Sequence, residues 1–210
     1  MLKTVQTFYA QKDYENALLT LKENQGEIPD GLWHYNMGTI YGKMEQYPLA
    51  RYHFLMADQK GYSGEELFAN KAVVEDKLQV GKLEQSYSST DFLFKAGLAA
   101  RDGIFTLLGL IFVLSGLISL WKKAGPKVWG TLFVIAFFVI SMNWWVDSLD
   151  KKVVIESQAI QEGPSAIFRA TEELPAGVLI ITSEKNGWLK IIYPSRFEGW
   201  VKDTGLRELK

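Results

Sequence analysis

Residues 103–146 read GIFTLLGLIFVLSGLISL, then WKKAGPK, then VWGTLFVIAFFVISMNWWV: two apolar runs around a short basic loop. Each run, 103–121 and 128–146, holds about 19 residues, which as a helix spans ~28 Å, close to the thickness of a bilayer's hydrocarbon core. Neither run carries a charge, and a single one at mid-helix would cost ~3 kcal/mol on insertion. Trp121 and Trp129 flank the loop, and Trp144 and Trp145 close the second run, as aromatic belts at two water interfaces would. Buried helices of a soluble domain are usually shorter or amphipathic. The stretch therefore predicts a two-helix transmembrane hairpin. Within it, Gly109, Ser115, Gly116 and Ser119 are small enough for close helix contact, and the other polar residues are Thr106, Thr131, Ser141 and Asn143. With no intramembrane charge, a proton or ion pathway is not expected, and the hairpin alone has too few helices for a transporter.

Working outward, the hairpin leaves one flank of about 100 residues and one of about 64, each suited to a small domain. The charge is nearly balanced, with 23 basic and 24 acidic residues. Neither flank is strongly basic, which argues against a nucleic-acid partner. The absence of cysteine excludes a disulfide framework, a thiol nucleophile and a thiolate metal site. Lys122, Lys123 and Lys127 put three positive charges in the loop, whereas the outer flanks mix signs: Lys95, Arg101 and Asp102 on one side, Asp147, Asp150, Lys151 and Lys152 on the other. The positive-inside tendency places the loop (122–127) in the cytoplasm and both flanking domains on the far side. Against this, the first 25 residues have no apolar core of a secretory signal.

Residues 1–82 show an internal repeat at an offset of 33: Phe8, Tyr14, Ala17 and Leu21 fall opposite Tyr41, Tyr47, Ala50 and Phe54. A period of 33 or 34 with two helices per unit resembles the tetratricopeptide repeat. Gly38, Tyr41, Ala50, Phe54 and Ala57 occupy that family's pattern positions, while His34 stands where it usually has Trp and Tyr62 where it has Pro. Gly38 and Ala50 are small so that two antiparallel helices can approach, with Tyr41 and Phe54 filling the space between pairs. Turns are expected at Gln11–Asp13, Lys43–Gln46, Pro29–Gly31 and Gly61–Gly64, and a capping helix at about Glu65–Gln79. The register would start the first helix before Met1, so the chain is either shortened there or begins with a clipped helix. Residues 83–102 read as a connection and an amphipathic helix presenting Phe92, Leu93, Phe94 and Leu98.

From Val153 the pattern changes to β-branched alternation with Gly and Pro punctuation. Five strands are expected: Val153–Ser157, Ala166–Thr171, Val178–Ser183, Gly187–Tyr193 and Gly199–Lys202. Asn186-Gly187 is the strongest hairpin signal, because both central residues of a type I′ turn need positive φ. Gly163-Pro164-Ser165, the apolar strand before Glu184, Asn186-Gly187-Trp188 and Gly199-Trp200-Val201 together make residues 151–210 resemble a bacterial SH3 domain. The chain departs from that family at Ala159-Ile160-Gln161, where Asn-Val-Arg is common.

The sequence thus predicts a multidomain membrane protein: an α-helical, tetratricopeptide-like repeat domain (1–82), a connecting helix (83–102), a two-helix transmembrane hairpin (103–146) and a small all-β SH3-like barrel (151–210). That order resembles the E proteins of bacterial aerotolerance operons. The resemblance implies a membrane-anchored accessory protein with partners among von Willebrand A-type membrane proteins and a MoxR-type ATPase system; with the hairpin and its loop charges, the expectation is a two-pass protein of the bacterial inner membrane with both flanks periplasmic. Catalytic chemistry finds no footing. The two histidines, His34 and His53, lie in the repeats, no H-E-x-x-H or G-x-S-x-G occurs, and Gly42-Lys43 and Gly81-Lys82 lack the upstream Gly of a phosphate loop. No catalytic, cofactor or metal residue is therefore expected. The expected function is a non-enzymatic scaffold or adaptor in an envelope stress complex; the alternative is cell-wall sensing, with peptidoglycan bound by the barrel. Candidate partner-binding residues are Tyr9, His34, Tyr35, Asn36 and Thr39 on the helices, with Trp188 and Trp200 as stacking platforms or core residues of the barrel.

Overall fold

A computed structural model describes residues 2–85, 88–99, 104–122 and 125–209. Arg101, Asp102 and Lys123, used above to orient the hairpin, lie outside the described residues, as do the side chains of Thr106, Asn143 and Asp147. The chain divides into two compact units, one formed by Met1–Gln85 together with Asp150–Lys210, the other by Ser86–Leu149.

In the first unit, α1 (Leu2–Ala10) pairs with α2 (Tyr14–Glu23) and α3 (Asp30–Lys43) with α4 (Tyr47–Gln59), followed by α5 (Glu65–Lys77) and the short α6 (Val80–Leu83). Asp13 caps α2, its carboxylate accepting from the Asn16 backbone N–H at 3.3 Å. The period reappears in the backbone at spacings of 33 and 34: Lys12, Glu45 and Gln79 each have positive φ. At the first two, the residue after the left-handed one donates back to the last helical turn, Asp13 N–H to Phe8 O and Gln46 N–H to Tyr41 O. This is the αL closure that ends a helix sharply. Gly38 has the expected reason to be small, since a Cβ there would sit 2.7 Å from the Phe54 ring and 3.1 Å from Ala50 O. Leu21, Met37, Ile40, Phe54 and Leu67 are the largest wholly buried side chains of this helical core.

The strands are β1 (Asp150–Val154), β2 (Gln158–Gln161), β3 (Ala170–Leu174), β4 (Leu179–Lys185), β5 (Trp188–Tyr193), β6 (Gly199–Val201) and β7 (Leu206–Glu208). They form one seven-stranded sheet in the order β3-β2-β6-β5-β4-β1-β7, every pairing antiparallel. Asn186 and Gly187, both at positive φ, turn β4 into β5 with Lys185 opposite Trp188. Val154, Ile160, Val178, Ile180, Leu189, Ile191 and Val201 fill its core, and Leu83 of α6 packs against them.

This architecture corrects the expected one. The chain is a mixed fold, helices with a seven-stranded antiparallel half-barrel, rather than a tetratricopeptide domain, a membrane hairpin and a five-stranded SH3-like barrel strung in series. The N-terminal helices and the C-terminal strands belong to one body because α6 contributes to the sheet core and a buried ion cluster links Arg51 of α4 to Gly177 and, through Glu84, to Leu179 at the start of β4. Two strands escaped notice because they are short and half-polar: QAIQ (β2) and LRE (β7). The strand expected at Ala166–Thr171 is mostly a loop. There Ser165 accepts from Ile167 N–H through its hydroxyl and from Phe168 N–H through its carbonyl, and β3 begins only at Ala170.

The second unit holds α7 (Ser89–Ala99), α8 (Ile104–Trp121) and α9 (Pro126–Asp147). α8 and α9 run antiparallel: Gly109 faces Ile140 and Gly116 faces Phe133, and a Cβ on Gly116 would lie 3.1 Å from that ring. Among the described residues the expected pair of membrane-spanning helices is not found: one helix, α9 over Lys127–Val146, is long and apolar enough to cross a membrane, while the described apolar stretch within α8 is the shorter Leu107–Trp121.

Candidate functional site

Three groups of residues in the first unit have the makings of a site, and one groups the predicted helical residues. Tyr35 on α3 stacks on Tyr62, ring centroids 4.7 Å apart, and its hydroxyl accepts from Asn70 Nδ2 of α5 at 3.2 Å. Tyr9 of α1 packs edge-on against Tyr14 at 5.6 Å. The phenol of Tyr9 is pushed up by burial and by the neighbouring phenols of Tyr14 and Tyr35. Thr39, one turn beyond Tyr35, donates its hydroxyl to the Tyr35 carbonyl, and Asn36 is half-buried next to it. The outcome is a strip of half-buried tyrosines, Tyr9 on α1, Tyr35 on α3 and Tyr62 just before α5, a chemistry suited to recognising a polypeptide surface.

His34 does not join that strip. Its Nδ1 meets His53 Nδ1 of α4 at 2.9 Å, so one ring donates and the other accepts. Tyr41 stacks on His53 at 5.3 Å, and Trp33, whose indole N–H donates to Leu21 O at 2.7 Å, lies edge-on to both imidazoles. Burial, then His34, Arg207 and Lys22, lower His53 to about 3; burial also lowers His34 despite the opposing field of Asp30. Both rings are therefore neutral at neutral pH. Among the described residues no three His, Asp or Glu side chains gather as metal ligands would.

On the sheet, Trp188 and Trp200 are half-buried and absent from the core cluster, which is built from the alternate residues Leu189, Ile191 and Val201. The β5–β6 register sets Lys190 opposite Trp200, and the Lys202 ammonium lies 5.4 Å from the centre of the Trp188 ring. Both indoles thus share the outer face with lysines.

The chain matches no protein-family model, no curated protein and no solved structure.

What sequence reading missed is the cluster around Arg51, whose side chain is 4% exposed. Its guanidinium grips Glu84 bidentately, Nη1 to Oε1 at 2.6 Å and Nη2 to Oε2 at 3.1 Å, and reaches Glu75 through Nε at 3.3 Å. Nη1 also donates to the Gly177 carbonyl at 2.5 Å, while Glu84 Oε1 accepts the Leu179 N–H at 2.6 Å. Burial would lower the guanidinium's pKa, but the fields and hydrogen bonds of Glu84 and Glu75 outweigh it and hold it raised. This is a structural clasp between α4 and β4 with its donors and acceptors mutually engaged, and no surface is left for a substrate.

Proposed function

We propose that the chain is a non-enzymatic adaptor held at a bacterial cytoplasmic membrane by its apolar helical unit, which presents the helix-and-sheet body to protein partners. The observation that carries the reading is the exposure of α9: only 6% of its apolar window is buried, with Phe137 at 75% and Val134 at 69%. A helix serving as its own protein's core would be covered, and an exposed apolar surface of this extent demands lipid or a partner. The tyrosine strip of Tyr9, Tyr35 and Tyr62 supplies a contact surface, and von Willebrand A-type membrane proteins beside a MoxR-type ATPase are the partners that the aerotolerance resemblance suggests.

The experiment is affinity capture of the full chain from detergent-solubilised native membranes, beside a Tyr35→Ala/Tyr62→Ala variant. Recovery of von Willebrand A-type proteins with the parent and their loss with the variant is expected. A lone, monodisperse protein, or release from membranes by alkaline carbonate, would overturn the reading. A second reading, peptidoglycan binding, is favoured by the outward position of Trp188 and Trp200. Co-sedimentation of the full chain with purified sacculi, reduced by Trp188→Ala/Trp200→Ala, is its test; no sedimentation by the parent removes it.

A further inference from the structure

Helix α7 is apolar on two sides, and among the described residues one of them meets a protein neighbour. The inner side meets the end of α9: the Phe94 ring stacks on Trp145 at 5.4 Å, and a Cβ on Gly97 would lie 2.9 Å from Val146 Cγ2. The outer side carries Phe92 at 67% exposure and Leu93 at 52%, with Ala96 one turn on, also exposed. A helix that faced protein on one side and water on the other would carry polar residues at those positions.

The depth of the contact says what covers the outer side. Trp145 and Val146 are the last residues of the apolar window Lys127–Val146, so α7 packs at the level where that window ends. There Trp144 is 77% exposed, as an indole at a lipid–water boundary would be. Lys95 is exposed one turn from Phe92, at the edge of the stripe, where its stem can lie along acyl chains while its ammonium reaches phosphate oxygens. The only acid on the helix, Asp91, is fully buried and so presents no charge to the outer side.

We propose that α7 is an interfacial helix, its Phe92–Leu93–Ala96 stripe lying in the headgroup–acyl boundary of the bilayer that holds α9. The inference rests on the membrane reading above. It goes further by assigning a lipid-contacting surface to a helix outside the apolar runs.

The chain has no cysteine, so single cysteines report without a background. Phe92→Cys, Leu93→Cys, Phe137→Cys on α9 and Gln11→Cys in the α1–α2 turn are each labelled with an environment-sensitive fluorophore in the full chain reconstituted into lipid vesicles. The readouts are aqueous iodide quenching and quenching by lipids brominated near the headgroup or deep in the chain. Positions 92 and 93 are expected to be protected from iodide several-fold relative to position 11 and quenched most by the shallow bromines, with position 137 quenched most by the deep ones. If position 137 is lipid-buried while both 92 and 93 are as iodide-accessible as position 11, the inference fails and the membrane reading stands. If position 137 is itself open to iodide, both fail. Protection at 92 and 93 that disappears on diluting protein at constant lipid would assign the stripe to a second copy of the chain and overturn the proposal.

Discussion

Substituting Arg51 by methionine keeps the stem's volume and apolar contacts and removes the guanidinium alone. Glu84, whose side chain is 12% exposed, then loses both of its bidentate hydrogen bonds, Gly177 O loses its donor, and Glu75 loses a partner at 3.3 Å. Breaking a buried pair by removing one partner strands the other charge and typically costs about 3–5 kcal/mol. That is a large share of the 5–15 kcal/mol by which domains are usually stable, and for a body of this size it amounts to a fall in Tm of roughly 10 °C. Chemical denaturation followed by circular dichroism gives the size of the loss, and amide exchange locates it. Because Arg51 joins α4 to β4, protection should fall in both elements together. Adding Glu84→Gln to Arg51→Met removes the stranded charge while leaving an acceptor for the Leu179 N–H, so the double variant should be less destabilised than the sum of the singles by over ~1 kcal/mol. A loss below ~0.5 kcal/mol, strictly additive variants, or protection lost in α4 alone would each refute the argument.

Gly38→Ala places a methyl 2.7 Å from the Phe54 ring and should cost about 1–3 kcal/mol, read as a lowered denaturation midpoint. Gly187→Ala, at φ 73 in the β4–β5 turn, should cost about 1 kcal/mol and show first as faster amide exchange at the strand ends. The folded pKa of His53 lies near 3, below its unfolded value of 6.5. The unfolded chain therefore binds the extra proton, and stability present above pH 6.5 is lost as pH falls toward 3. Between pH 6.5 and 5 the loss should be about 1.5 kcal/mol, and His53→Phe should flatten that part of the profile in pH-dependent denaturation; an unchanged slope would contradict it.

The parts legible in the sequence are those where one residue's local chemistry dictates the geometry. Gly38 and Ala50 announce a close helix crossing by their size, and the left-handed closures at Lys12 and Glu45 follow the same 33-residue spacing as the aromatic pairs. Asn186-Gly187 specifies its turn unaided. Less visible was anything that depends on distant partners. Arg51 on a helix reads as a solvated charge until Glu84 and Gly177, far along the chain, are brought against it. His34 looked like part of a helix face, but its hydrogen bond to His53 turns it toward Trp33 and away from Tyr35. Trp188 and Trp200 could have been core or surface, and only the parity of the β5–β6 register, fixed by a pairing across the sheet, separates them from Leu189 and Val201. The two apolar runs looked equivalent as text, yet only the second yields a described helix of spanning length.

The interruption of the helix-and-sheet body by Ser86–Leu149 sets an order on biosynthesis. The N-terminal helices leave the ribosome with Leu83 and Arg51 still waiting for strands that are translated last. Closing an unstructured insertion of about 60 residues would oppose their meeting by ~4 kcal/mol of chain entropy. The insertion does not stay unstructured: Gly97 near its start touches Val146 near its end. Once α7 settles on α9, the long gap in sequence becomes a short one in space. The apolar unit thereby acts as an internal splint, delivering β1 to a half-built core.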